Sequence, residues 1–129
     1  MQFYPWGVAA MIVEMRTYTL AFGAVVRYFE LYRELGQAVQ WQILGKPLGY
    51  YYTEVGALNQ VVHIWRYHSF DERLSRRASL WVQPDWLQFI KAVEPLVVTQ
   101  ESRLMLETPL GRLPEEDFAS IYTGGVHDR

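Results

Sequence analysis

Two short stretches carry the residue types that acid–base and anion chemistry draw on. In the first, Glu14, Arg16 and Tyr18 alternate with Val13, Met15 and Thr17. In the second, His63 and Trp65 alternate with Val62 and Ile64. Successive side chains of an extended chain point to opposite faces, so each set shares one face. An acid, a cation, a phenol, an imidazole and an indole are what an oxygenated hydrophobic ligand would need around it. His63 is the candidate catalytic residue, because the ordinary pKa of imidazole suits a general base near neutrality. Arg16 is the candidate holder of an anionic oxygen, with Glu14 orienting His63 or balancing Arg16. Tyr18, Tyr50, Tyr52 and Trp65 are the candidate walls of a ligand pocket. Each has a structural counter-reading. His63 also reads as a structural histidine bonded to a carboxylate or tyrosine. Glu14 and Arg16 also read as an internal ion pair, and the aromatics as packing across a subunit interface.

Other chemistries find no residues to run on. The chain has no cysteine, which excludes disulfides, thiol nucleophiles and Cys-ligated zinc. No histidine–carboxylate spacing resembles a metal site. No serine triad order, phosphate loop or nucleotide fingerprint is present, so no cofactor is expected. With a net charge of −2 and no basic run, the chain has no nucleic-acid footprint. Arg73, Arg76 and Arg77 read as a solvated or carboxylate-paired helix face ahead of an anion site, with Arg73 and Arg77 one turn apart. No apolar run approaches the length of a membrane span. The first ten residues lack the basic start and apolar core of a signal peptide. The cysteine-free composition fits a reducing compartment, so the expected location is the cytoplasm, or the mitochondrial matrix in a eukaryote.

The elements that must position these residues follow from periodicity. Ile12 to Thr19 alternates and predicts strand one. From about Gly23 to Gln42 the period becomes helical, with Val25, Phe29, Tyr32, Val39 and Ile43 on the apolar side. Gly45, Pro47 and Gly49 break that helix. Leu48 to Glu54 predicts strand two, with Tyr50 and Tyr52 on one face and Tyr51 on the other. A connection at Gly56–Asn59 leads to strand three, Gln60 to Tyr67. Ser69 and Glu72 have the spacing of a capping box. The helix they open has an apolar stripe of Phe70, Leu74, Ala78 and Trp81, flanked by arginines. Pro84 interrupts it and starts a further helical segment. Val97 to Leu106 predicts the last strand.

The order is β-α-β-β-α-β, with the second helix broken in two. It is the order of an α+β, ferredoxin-like antiparallel sheet. Right-handed crossovers place both helical segments on one face. The expectation is that the other, open face carries the aromatic residues and therefore meets a partner sheet. The candidate site would lie in the cleft so formed.

The chain resembles the NIPSNAP family. The matching segments are Ile12-Val13-Glu14-Met15-Arg16-Thr17-Tyr18-Thr19-Leu20, Leu48-Gly49-Tyr50 and Leu58-Asn59-Gln60-Val61-Val62-His63-Ile64-Trp65. Further matches are Arg73, Arg76-Arg77, Pro84-Asp85-Trp86 and Gln100-Glu101-Ser102-Arg103. Ser102 departs from the pattern, where asparagine is expected. The resemblance implies a homodimer, a dimeric α+β barrel of two face-to-face sheets, and brings no settled reaction. It divides the chain into an extension (1–10), a NIPSNAP-like domain (11–108) and a tail (109–129), in which Phe118, Ile121 and Tyr122 are candidates for docking onto the body. Three function classes fit. One is a homodimer of unassigned activity with a small-molecule pocket in the barrel. Another is a cofactor-independent oxygenase, isomerase or cyclase acting on a hydrophobic or aromatic substrate. The third is a structural or protein-interaction module without a ligand.

Overall fold

The computed structural model describes residues 11–110. Expectations placed on residues 1–10 and on Phe118, Ile121 and Tyr122 lie outside the described residues. In chain order the elements are β1 (Ile12–Leu20), α1 (Val25–Leu31), a π-helical turn (Tyr32–Gly36) and α2 (Gln37–Leu44). Then come β2 (Gly49–Tyr52), β3 (Gln60–Tyr67), α3 (Phe70–Leu80), α4 (Pro84–Val93), a 3-10 turn (Glu94–Leu96) and β4 (Val97–Leu106). The four strands form one antiparallel sheet in the order β2-β3-β1-β4. The fold is α+β and ferredoxin-like, as the element order predicts.

The sequence predicts one uninterrupted first helix. The structure instead widens it into a π turn at Tyr32–Gly36. Gly36 closes that turn against α4, where a Cβ would stand 2.8 Å from Cγ of Phe89. Phe89 is buried, so its ring cannot yield. Gly45 ends α2 with a φ of 85°, a backbone conformation that favours glycine.

The sheet is covered on one face only, and the faces are the reverse of those expected. Tyr18, Tyr50, His63, Trp65 and Tyr67 lie under the helices, where Tyr28 and Phe89 meet them or each other edge to face. The open face carries half-buried Val13, Met15, Val62 and Ile64, together with Tyr51. Alternation decides which residues share a face, but not which face the helices cover. The outcome follows apolar area, since large rings lose the most water-exposed surface under the helices.

Helix α3 also departs from its pattern. Ser69 caps it as expected, its Oγ accepting from the backbone N–H of Glu72 at 3.0 Å. The reciprocal arm reaches one residue further back, and Glu72 accepts from the backbone N–H of His68 at 3.1 Å. The apolar stripe does not face the core. Leu74 is 62% exposed and Trp81 44%, while Arg73 turns to the sheet and Arg77 to a cavity beside it. A buried carboxylate on β1 sets this orientation.

Ser69→Ala removes the cap acceptor and should lower stability by about 1 kcal/mol. Denaturant titration should show a lower midpoint at unchanged slope. An unchanged midpoint would mean that the cap contributes nothing.

Candidate functional site

Strand β1 places Glu14, Arg16 and Tyr18 on the helix-covered face. Its neighbours bring the remaining groups alongside. Arg16 stands opposite His63 on β3 and Ser102 on β4, and Tyr50 of β2 stands opposite His63. The glutamate is fully buried, with its carboxylate closed on every side. Arg73 donates to both oxygens, Nε to Oε1 at 3.0 Å and Nη2 to Oε2 at 2.8 Å. Arg16 donates to Oε2 at 2.9 Å and Ser102 Oγ at 2.5 Å. Burial alone would push this carboxyl upward. The hydrogen bonds from Arg73 and Ser102 and the charge of Arg16 outweigh burial and hold it down to about 2. Glu14 thus balances Arg16 and Arg73, and does not orient His63. The departure at Ser102 leaves a hydroxyl that still serves the carboxylate.

His63 is buried among rings. Its imidazole stacks on Tyr50, with centroids 4.6 Å apart and planes at 7°, and meets Tyr18 edge-on at 5.0 Å. Trp65 Nε1 donates to His63 Nδ1 at 2.6 Å. An indole nitrogen only donates, so Nδ1 is unprotonated and the ring proton sits on Nε2. Nε2 is buried with no partner among the described residues. Burial, and next the charge of Arg16, depress the pKa of His63 to about 3. At neutral pH the ring is neutral with its basic lone pair engaged. It presents an N–H donor, not the base with an ordinary pKa that the sequence suggests.

Around it the phenols are linked. Tyr28 and Tyr50 share a hydrogen bond of 2.7 Å. The Tyr32 hydroxyl donates to Gln40 Oε1 and accepts from Trp41 Nε1 at 3.0 Å. Burial raises the pKa of Tyr28, Tyr32 and Tyr50 above the ordinary phenol value. Tyr52 does not join this group. It ends the short edge strand β2, is 56% exposed, and lines a separate groove with Val26, Phe29 and Leu58.

Beside the cluster, between the sheet and α3 and α4, lies a cavity of about 240 Å³. Arg16, Tyr18, Gln40, Arg77, Trp86 and Phe89 are among its lining residues. The expected cleft on the open face is therefore not where this cavity lies, and of the expected site residues only Arg16 and Tyr18 line it. Arg77, Gln40, Trp86 and Phe89 were not singled out for a site by sequence reasoning. The spacing of Arg73 and Arg77 was the signal available for the first of them. Among the described residues, no group of three or more His, Cys, Asp or Glu is placed to hold a metal ion, and no helix is long and apolar enough to cross a membrane.

Fold and site define a class first: a ferredoxin-like α+β domain with a small cavity between sheet and helices. Comparison with known proteins narrows it. The NIPSNAP family model matches residues 13–111. A NIPSNAP family protein of unknown function from Agrobacterium tumefaciens superposes with a TM-score of 0.78 at 35% identity, covering 82% of this chain and 96% of that one. A second Agrobacterium NIPSNAP family protein gives 0.77 at 40% identity, covering 81% and 99%. NipSnap homolog 2 of Mus musculus is 26% identical over 74% of this chain and 33% of its own length. The chain belongs to the NIPSNAP family, and it spans about a third of the length of that mouse relative. A putative antibiotic biosynthesis monooxygenase from Nitrosomonas europaea shares the fold at a TM-score of 0.59 and 9% identity, covering 81% of this chain and 97% of that one.

Glu14→Gln should destabilise the fold by roughly 3 kcal/mol, because it leaves two guanidiniums without their shared anion. The pKa of Glu14 falls on folding, so its stabilisation is present above the ordinary value of 4.5 and is lost as pH drops toward about 2. Denaturation midpoints of the two proteins should converge across that window. A constant gap would contradict the assignment.

Proposed function

We propose that this NIPSNAP domain is a homodimeric small-molecule-binding protein that holds a small hydrophobic or aromatic ligand between its sheet and its helices. The supporting observation is the cavity itself. It joins aromatic walls, Trp86 and Phe89, to the polar ends of Arg77 and Gln40. Its volume of about 240 Å³ falls below the roughly 300–1,000 Å³ of sites for drug-sized ligands, which points to a ligand of one ring or a short branched chain.

The homodimer rests on the open sheet face. Val13, Met15, Val62 and Ile64 form an apolar centre there, with Glu101 and Arg103 at the β4 margin. A second copy of the same sheet, packed by a twofold axis, would cover it and close a barrel. On this reading residues 11–108 are the working domain, and 1–10 and 109–129 are additions to it. The cysteine-free composition leads us to infer the cytoplasm, or the mitochondrial matrix in a eukaryote, as its location.

A second reading is cofactor-independent catalysis, as an oxygenase, isomerase or cyclase on the same ligand. It draws on Arg16, a cavity-lining donor suited to a developing oxyanion; the Nε2–H of His63 stands on the neighbouring strand but is closed off from the cavity. Binding is favoured over it because the basic nitrogen of His63 and the Glu14 carboxylate are both engaged. Among the described residues the acid lining the cavity is Glu94, which is exposed.

Two measurements test the proposal. Saturation-transfer NMR with a panel of single-ring aromatic compounds should detect binding to the wild type. Ile90→Phe, which fills the cavity, should abolish it while unfolding stays cooperative. No binding by any panel member, or equal binding by the variant, would contradict the pocket. In sedimentation the wild type should run as a dimer at micromolar concentration and Ile64→Asp as a folded monomer. A monomeric wild type would contradict the assembly.

A further inference from the structure

We infer that the cavity is selective for a monoanion, and that its ligand carries a carboxylate seated between Arg77 and Arg16 with its apolar part against Trp86 and Phe89. This rests on the pocket reading above and names the class of ligand that the pocket takes. The first observation is charge balance. Three guanidiniums, Arg16, Arg73 and Arg77, converge near one buried carboxylate. The oxygens of Glu14 are taken up by Arg16, Arg73 and Ser102. Arg77, half-buried at the cavity wall, has no ion pair or hydrogen bond to any described residue. Exposed Glu94 is the acid of the cavity lining itself. Against these two acids the three arginines leave one positive charge. Burial and the neighbouring charge of Arg16 already disfavour the protonated form of Arg77. Such a charge in a partly dry wall is costly unless an anion meets it.

The second observation is the kind of hydrogen-bonding group left over. Gln40 is buried and lines the cavity, and its Oε1 is taken by Tyr32. Its amide N–H groups remain. Trp86 also lines the cavity through its ring, while its indole N–H is closed off from solvent and has no acceptor among the described residues. A guanidinium can only donate. Arg77 and Gln40 thus leave a surplus of donors at a site with few free acceptors. A ligand rich in acceptor oxygens satisfies them, and a carboxylate matches the planar fork of a guanidinium. A phosphate dianion would overshoot the single unbalanced charge. Trp86 and Phe89, tilted at 36° with centroids 5.1 Å apart, supply the wall for a ring or branched chain.

The test is calorimetry at neutral pH and low salt with phenylacetate, its neutral isostere phenylacetamide, and benzylphosphonate. Phenylacetate should bind the wild type at least about tenfold more tightly than the amide, the scale of one charge-assisted pair. Arg77→Gln should remove that preference, while Arg77→Lys should restore part of it. Equal affinity of acid and amide for the wild type would overturn the anion assignment and leave the pocket standing. So would a preference that survives Arg77→Gln. Benzylphosphonate binding tenfold more tightly than phenylacetate would overturn the monoanion. If no compound binds, the pocket reading fails and this inference with it. The wild-type comparison needs no variant to fold.

Discussion

The buried carboxylate of Glu14 is the constraint on which much of the rest depends. A carboxylate without water must be met by donors on all its lone pairs, or it will take up a proton. Here the donors come from three places: Arg16 on the same strand, Ser102 on β4 and Arg73 on α3. One side chain thereby ties the centre of the sheet to its edge and to the helix above. It also sets the rotation of α3. To bring a two-pronged guanidinium onto Glu14, the helix must turn its arginine side inward. Phe70, Leu74 and Trp81 are left toward solvent as a consequence, and Arg77, one turn beyond Arg73, is carried to the cavity wall.

Much of the architecture was legible in the sequence because it depends on local periodicity. The alternation of Gln60–Tyr67 and of Val97–Leu106 marks β3 and β4 with their observed limits. The proline at position 84 marks the start of α4. What was not legible depends on contacts distant in the chain. The stripe on α3 reads as a core face by hydrophobic period, and nothing within α3 reveals an acid 59 residues away that claims its arginine. The glycine that closes the π turn has its reason in Phe89, far along the chain from Gly36. Alternation groups His63 with Trp65 and Val62 with Ile64, but which pair lies under helices is decided by the packed area of the whole sheet.

The clustering of the candidate residues was legible in the sequence, and their surroundings were not. Glu14, Arg16, Tyr18, Tyr50, His63 and Trp65 do come together on one side of the sheet, and Tyr52 alone of the expected group stands apart. Their chemistry changes once burial is known. His63 becomes a neutral donor because an indole occupies its lone pair. Glu14 becomes a fixed counter-ion because three groups hold it. The donors without a partner among the described residues, on Arg77 and Gln40, gather at the neighbouring cavity. On the proposed reading, the buried ion cluster orients the site and the cavity beside it receives the ligand.

The most direct test of this account is the position of a bound ligand. Crystals soaked in 4-bromophenylacetate, measured at the bromine absorption edge, report that position without reference to affinity. The account predicts one anomalous peak per chain inside the cavity, against Trp86 and Phe89, with the carboxylate at Arg77. A bromine on the open face beside Val62 and Ile64, or no ordered bromine at all, would contradict it.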